Sequence, residues 1–170
     1  LYSCDFDQKK DSKIVKAKQL PLEDFFRNPE KSSYQISPNA EYFSYMAPYE
    51  SRMNVFVQKR GEEESARLTS ETDRDIAGYF WPNDDQIVYL KDTGGDENYR
   101  LYVANIDGSK NVCLTDFEGV RTTIIDDLPD QKEVMIVGLN KRNPQVFDPY
   151  RLNLVTGEME MLSLIHISEP

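Results

Sequence analysis

Acidic residues form the groups in this sequence that most resemble a chemical site. Glu62, Glu63 and Glu64 follow one another, and aspartate pairs occur at Asp84–Asp85 and Asp126–Asp127. A run of carboxylates can bind a cation or an amino group, but it is more often a solvated surface. A calcium loop would need oxygen ligands at alternating positions and a following glutamate, and the sequence has no such array. We therefore expect a solvated hairpin tip at 62–64, aspartates that bond their own backbone in turns, and no metal site.

A glycine-rich loop with the sequence Gly-Gly-Asp-Glu-Asn-Tyr runs from Gly94 to Tyr99. Adjacent glycines let a backbone approach a phosphate, but phosphate-binding loops lead from a strand into a helix. This loop leads into the apolar run Leu101–Val103, which is typical of a strand. The sequence favours an inter-strand loop whose Asp and Asn side chains hold backbone groups, and phosphate binding is the alternative.

Hydrolysis by a serine nucleophile needs a base that takes the hydroxyl proton, and histidine is the usual base. The only histidine, His166, lies in the segment 162–170. That segment breaks the strand pattern before it and resembles a translated sequencing-library adapter. We expect it to be an artefactual tail, with the natural sequence stopping near Met161. The sequence therefore predicts no catalytic, cofactor-binding or metal-binding residue in this chain and no cofactor.

Charge and hydropathy argue against two broad classes of protein. The formal net charge is -10, whereas a nucleic-acid surface needs clustered Lys and Arg, so no nucleic-acid partner is expected. No apolar run is long enough to predict a transmembrane helix. Cys4 and Cys113 lie far apart, in no metal or redox spacing, and Cys113 is expected in the core beside Val112 and Leu114.

One short pattern recurs three times with a period in the forties. Each copy has a proline-containing turn, an apolar run and a second strand, and the first two copies close on a Leu-Thr pair. The three turns are Ser37-Pro38-Asn39, Trp81-Pro82-Asn83 and Leu128-Pro129-Asp130. Periods of this length with four short strands in each unit are typical of β-propeller blades.

We therefore predict an all-β fold, an incomplete β-propeller of about three four-stranded blades at 32–75, 76–119 and 120–161. A short helix at 20–31 precedes the blades, because a proline fits its first turn and acidic residues follow. Residues 1–19 are expected to be a linker or a lipoprotein tether.

Central strands of this pattern are apolar at successive positions, as at Ile87–Leu90. A strand that is apolar on both faces is covered on both faces, as stacked sheets require. Trp81 is expected in this core rather than in a ligand platform. Tight hairpins between the third and fourth strands are expected at Gly61, Gly108 and Gly157.

The first four residues, Leu-Tyr-Ser-Cys, resemble a bacterial lipobox, in which the cysteine becomes lipidated. The resemblance implies a lipid anchor at Cys4 and a periplasmic or cell-envelope location. Without that anchor, a cytoplasmic location is expected.

Four stretches together resemble the N-terminal propeller of the prolyl oligopeptidase (S9) group of serine peptidases. The similarity is greatest to bacterial acylaminoacyl-peptidase and dipeptidyl-peptidase-like members, and it runs over about 20–161. The four stretches are Leu22–Pro29, Ile36–Asn39, Lys91–Tyr99 and Asn105–Gly108 with the following Leu114–Thr115.

In that group the propeller caps an α/β-hydrolase domain, whose Ser, Asp and His hydrolyse short peptides that the propeller admits. The resemblance implies that this chain is part of the cap, with short peptides as substrates and its own missing C-terminal hydrolase domain as partner. The sequence has no Gly-x-Ser-x-Gly motif, so no catalytic residue is transferred. Dipeptidyl-peptidase propellers also grip the substrate amino terminus with a helical Glu pair, a role that is not transferred to the hairpin residues Glu62–Glu64.

A different class shares the Ser-Pro-Asn and Leu-Thr pattern, namely non-enzymatic periplasmic binding propellers of the TolB-like kind. The predicted helix at 20–31 favours the peptidase, because a binding propeller has less need of an arm that docks elsewhere.

Overall fold

The regular secondary structure of the described residues is almost entirely β-strand, which confirms the predicted all-β class. A computed structural model describes residues 19–26 and 30–162, with one short helix in this part, α1 (Leu22–Phe26). The strands form three antiparallel four-stranded sheets, each in chain order, which we name blade 1, blade 2 and blade 3. Blade 1 contains β1 (Ser32–Ile36), β2 (Tyr42–Tyr49), β3 (Arg52–Lys59) and β4 (Ser65–Arg67). Blade 2 contains β5 (Gly78–Phe80), β6 (Gln86–Lys91), β7 (Arg100–Asn105) and β8 (Asn111–Cys113). Blade 3 contains β9 (Thr122–Asp126), β10 (Val134–Asn143), β11 (Val146–Asn153) and β12 (Met159–Met161).

Helix α1 is shorter than the sequence predicts. It begins directly after Pro21, whose carbonyl accepts a hydrogen bond from the Asp24 N–H at 3.1 Å. Residues 30–31 form a bend, so the predicted segment 20–31 is not helical throughout. The side chains of Leu22 and Phe25 are exposed rather than docked on a blade.

Two apolar cores hold the blades face to face. The core between blades 1 and 2 contains Met46, Val55, Val57, Ile76, Tyr79, Trp81, Ile87, Tyr89 and Ala104. The core between blades 2 and 3 contains Val88, Leu101, Val103, Val120, Met135, Val137, Leu139, Leu152 and Leu154. Strand β6 supplies Ile87 and Tyr89 to the first core and Val88 to the second, because successive side chains of a strand point to opposite faces. The predictions of a doubly covered central strand and of a buried Trp81 are therefore confirmed for blade 2.

The repeated Leu-Thr pair closes a blade by one hydrogen-bonding arrangement. Leu68 donates its N–H to the Val55 carbonyl, and the Thr69 hydroxyl accepts the Val55 N–H at 2.9 Å. Leu114 and Thr115 do the same to Leu101, with a hydroxyl distance of 2.8 Å. Both threonines are fully buried. Each hydroxyl therefore accepts a hydrogen bond from a backbone N–H that has no carbonyl partner in a neighbouring strand.

The hairpins before the fourth strands have the predicted geometry. Gly61, Gly108 and Gly157 have backbone φ angles of 86°, 77° and 77°. L-residues that carry a side chain rarely adopt these values. The domain boundaries themselves stay a prediction. Cys4, His166 and all but the first residue of the adapter-like segment lie outside the described residues.

Candidate functional site

The loop between β6 and β7 is held by its own carboxylates, as the sequence favours. Asp96 Oδ1 accepts hydrogen bonds from the N–H groups of Thr93 at 3.3 Å and Asn98 at 3.0 Å. Asp92 Oδ2 accepts the Glu97 N–H at 3.4 Å, and Asp73 Oδ2, from the preceding connection, accepts the Gly94 N–H at 3.2 Å.

These contacts argue against the phosphate alternative. A phosphate site needs free backbone N–H groups in a positive field. Here the N–H groups of Thr93, Gly94, Glu97 and Asn98 already bond carboxylates, whose charge would repel an anion. The loop is therefore a structural element that fixes one end of blade 2.

An ion pair anchors this loop to the connection between blades 1 and 2. Arg74 Nε donates to Asp92 Oδ1 at 3.0 Å, and the Asp92 side chain is buried while Arg74 is half-buried. The hydrogen bond from Arg74 lowers the pKa of Asp92 below its usual range, against the opposing effect of burial. The guanidinium also lies 3.7 Å from the position of a Cβ at Gly95, so the loop packs on Arg74.

Two cavities open at the same end of the sheets, one between each pair of blades. We name this end, which carries the connections 68–77 and 114–121 and the loop 92–99, the connection end. The first cavity, about 520 Å³, lies between blades 1 and 2 and contains Asp75 among methionine and isoleucine side chains. The second, about 260 Å³, lies between blades 2 and 3 and contains Tyr99 and Arg121.

Asp75 and Arg121 are equivalent residues of successive blades. They follow the closing threonines Thr69 and Thr115 by the same number of residues. The next residue in each blade donates its N–H to the equivalent carbonyl, Ile76 to Met53 at 3.3 Å and Thr122 to Tyr99 at 2.8 Å. One cavity therefore carries a carboxylate where the other carries a guanidinium.

Asp75 and Arg121 also contact equivalent residues of their blades, Met53 and Tyr99 respectively. Asp75 Oδ1 accepts the Met53 N–H at 2.8 Å. The Arg121 guanidinium lies over the Tyr99 ring, 5.5 Å from its centroid, within the range of a cation–π interaction. The pair was missed at the sequence level, and aligning the repeats at their threonines would have found the reversal of charge.

The opposite end of the sheets carries a polar cavity of about 540 Å³ between blades 2 and 3. Asp84 lies at its edge and joins all three blades. Its Oδ1 accepts the Asn39 N–H of blade 1 at 2.8 Å, and its Oδ2 contacts Lys132 Nζ at 3.2 Å. Asn83 adds a hydrogen bond to the Lys132 carbonyl at 2.9 Å. These turn residues therefore fix the blades to one another.

A partly buried polar cluster that the sequence did not predict lies where the connection from blade 1 meets blade 2. Lys91 Nζ donates to Glu71, and the Tyr89 hydroxyl donates to Asn111 Oδ1 at 2.8 Å and lies 3.3 Å from Glu71 Oε1. Burial, with a smaller effect of the Glu71 charge, raises the pKa of Tyr89 well above its usual range. The tyrosine therefore stays a neutral hydrogen-bond donor and is not a base.

The acidic residues singled out from the sequence differ in exposure and in their hydrogen-bond partners. Glu62, Glu63 and Glu64 are exposed at a hairpin tip, as expected. Asp126 accepts the Leu128 N–H at 2.9 Å, the expected backbone bond of a turn. Asp84 differs from the expectation, because it bonds neighbouring blades rather than its own backbone.

The described residues contain neither a reactive cysteine thiolate nor a group of side chains that could bind a metal ion. Cys113 is half-buried at the end of β8, and burial raises the pKa of its thiol, so it is not a reactive thiolate at neutral pH. Within 19–26 and 30–162, no three His, Cys, Asp or Glu side chains are grouped closely enough to hold a metal ion. No helix in this part of the chain is long and apolar enough to cross a membrane.

The chain thus presents blades of a propeller with charged cavities between them, and two curated proteins with peptidase names are similar to it. It is 31% identical over 152 residues to dipeptidyl aminopeptidase BIII of Pseudoxanthomonas mexicana, and this match covers 88% of this chain and 22% of that protein. It is also 31% identical over 152 residues to dipeptidyl peptidase family member 6 of Caenorhabditis elegans, covering 84% of this chain and 20% of that protein. The chain therefore spans about a fifth of the length of the curated relatives that it matches. No family model matches it.

Solved structures show the same fold at lower identity. An acylaminoacyl peptidase in complex with Z-Gly-Gly-Phe-chloromethyl ketone matches with a TM-score of 0.56 and 13% identity, covering 79% of this chain and 25% of that chain. TolB from Acinetobacter baumannii matches with a TM-score of 0.54 and 18% identity, covering 79% and 32%. These likenesses confirm an incomplete β-propeller. Together with the two relatives, they confirm the resemblance to the propellers of S9-type peptidases.

Proposed function

We propose that the three blades are part of the β-propeller of an S9-type serine peptidase, where they restrict the access of substrates to a separate α/β-hydrolase domain. The substrates are short peptides. The observation that carries this proposal is the 31% identity along 88% of the chain to dipeptidyl aminopeptidase BIII.

The contacts within the chain suit a gating role. The described residues contain no histidine that could activate a serine, so the hydrolase domain supplies the Ser, Asp and His. The blades supply a rigid wall instead. Hydrogen bonds join them at both ends, through Asp84 and Asn39 at one end and through Thr122, whose hydroxyl donates to Thr115 at 2.8 Å, at the other.

A lipid anchor at Cys4 and a cell-envelope location of a bacterial protein are part of the same proposal. Metabolic labelling of the complete gene product with a radioactive fatty acid tests the anchor. Label in the wild type that disappears in Cys4→Ser supports it, and an unlabelled wild type contradicts it.

A TolB-like binding propeller is the second candidate, because TolB shares the fold at a TM-score of 0.54. That likeness at 18% identity carries the fold alone, whereas both relatives at 31% identity bear peptidase names.

An active-site probe separates the two candidates. The complete product of the gene that encodes this chain is incubated with a fluorophosphonate, which reacts with activated serines, and with fluorogenic dipeptide amides. We expect covalent labelling of one serine outside this chain and release of the fluorophore. A full-length product that takes up no label and hydrolyses no peptide contradicts the peptidase and favours the binding propeller.

A further inference from the structure

We propose that the cavity between blades 2 and 3 at the connection end is a carboxylate subsite, in which Arg121 binds a carboxylate of a short peptide. This inference rests on the proposed function, because it names the part of the peptide substrate that the blades recognise. Nothing in the sequence motifs or in the names of the relatives assigns this cavity a ligand.

The charge of Arg121 is available to a ligand. Two other arginines of blades 2 and 3 lie against carboxylates, Arg100 against Asp116 and Arg142 against Asp148. In the part of the chain that the structure describes, no carboxylate lies within ion-pair distance of Arg121. Its guanidinium rests on the Tyr99 ring instead, which leaves its N–H donors free for a bidentate contact with a carboxylate.

The backbone of Arg121 is fixed before any ligand arrives. Its N–H donates to Asn140 Oδ1 at 2.7 Å, and its carbonyl accepts the Asn140 N–H at 3.4 Å. A cation on a fixed backbone loses less conformational entropy on binding than one on a flexible segment.

The rest of the cavity selects an apolar group next to the carboxylate. Its walls include Ala77, Leu90 and Ile124, and its volume of about 260 Å³ fits one side chain rather than a folded domain. Tyr99 and Arg121 are the titratable side chains in its lining. A peptide that ends in an apolar residue offers both the carboxylate and the side chain.

The positive charge of the Arg121 cavity is not shared by the equivalent cavity between blades 1 and 2. Asp75 stands there in place of Arg121, so that cavity would repel a carboxylate. The chain therefore contains a second cavity for comparison, which has the opposite charge at the equivalent backbone position.

Saturation-transfer difference NMR on the complete gene product tests the subsite with two probes, N-acetyl-alanyl-phenylalanine and its C-terminal amide. We expect the free acid to bind about twofold to fivefold more tightly than the amide, the effect of one solvent-accessible ion pair. In Arg121→Gln this preference should disappear. A third probe, N-acetyl-aspartyl-phenylalanine amide, separates the two sources of a carboxylate. If it binds like the free acid, the site also accepts a side-chain carboxylate, and if it binds like the amide, the site requires the C-terminal one.

Arg67→Gln is the matched control, because Arg67 also lies over a tyrosine ring, 3.5 Å from the Tyr49 centroid, but lines neither cavity at the connection end. It should keep the preference for the free acid. Arg121→Asp copies the charge of the Asp75 cavity and should weaken the free acid below the amide. Thermal unfolding of each variant verifies that it is folded.

Equal binding of acid and amide by the wild type, or a preference that survives in Arg121→Gln, overturns the subsite. Because binding is measured directly, such a result leaves the peptidase proposal standing. Conversely, a full-length product without peptidase activity would not remove a measured preference for the free acid.

Discussion

The Thr69 hydroxyl accepts the backbone N–H of Val55 at 2.9 Å inside blade 1, and it donates to Asn54 Oδ1 at 2.9 Å. Thr115 accepts the N–H of Leu101 in the equivalent place of blade 2. The recurrent Leu-Thr pair therefore has a physical cause, since it satisfies a buried donor where the outer strand leaves the sheet.

Thr69→Val should lower the free energy of unfolding by about 1–3 kcal/mol, because the isosteric side chain leaves the Val55 N–H and the Asn54 amide oxygen with one partner fewer. Thr69→Ser keeps the hydroxyl and should cost less. Urea unfolding followed by Trp81 fluorescence measures both variants. A smaller loss in Val than in Ser would show that the methyl group, and not the hydrogen bond, matters.

The Arg74–Asp92 pair should make stability depend on pH in the acidic range. The folded-state pKa of Asp92 is lowered, so its contribution is fully present above the ordinary carboxyl pKa and is lost as the pH falls through the folded value. Asp92→Asn should therefore be less stable than the wild type at neutral pH, and the difference should shrink below about pH 4. Denaturant unfolding at several pH values measures this difference, and one that is constant down to pH 2 would contradict the account.

Asp116→Asn is the control for that experiment. Asp116 lies 3.4 Å from Arg100 Nε but is largely exposed. An exposed pair contributes about 1 kcal/mol or less, so this variant should change stability little at any pH.

The chain on its own should associate head to tail. Tyr34 and Ile36 in β1 are 60% and 69% exposed, whereas the equivalent Tyr79 in β5 and Trp81 directly after it, which blade 1 covers, are 7% and 8% exposed. Blade 1 therefore presents a face built to be covered by another blade. Blade 3 leaves its opposite face uncovered, with Ile125 53% exposed. Covering both faces removes apolar surface from water, so sedimentation should show concentration-dependent association of the wild type.

Two variants distinguish a head-to-tail interface from a symmetric one. Ile36→Glu on blade 1 and Ile125→Glu on blade 3 should each weaken association. An equimolar mixture should form a heterodimer, because each variant keeps the face that the other lacks. A mixture that stays monomeric rules out the head-to-tail arrangement.

The repeat made the blades predictable, because four short strands with fixed turn residues are local in sequence. The proline-containing turns, the hairpin glycines and strand β6, which is apolar on both faces, all have direct sequence signals. The cluster of Glu71, Tyr89 and Lys91 has none, since Glu71 lies in a connection and meets its partners only when blades 1 and 2 pack. Asp75 and Arg121 are an intermediate case, visible once the repeats are aligned at Thr69 and Thr115.

The central claim is that these blades gate a peptidase, and the dependence of hydrolysis on substrate length tests it most directly. The complete gene product is assayed for kcat/KM on a series of peptides of increasing length and on an unfolded protein. The account predicts hydrolysis of short peptides, a steep fall with length, and relief of that fall in Ile36→Glu, which loosens the packing of blade 1 on its neighbour. Equal kcat/KM values for short peptides and the unfolded protein, or no hydrolysis of any peptide, would contradict it.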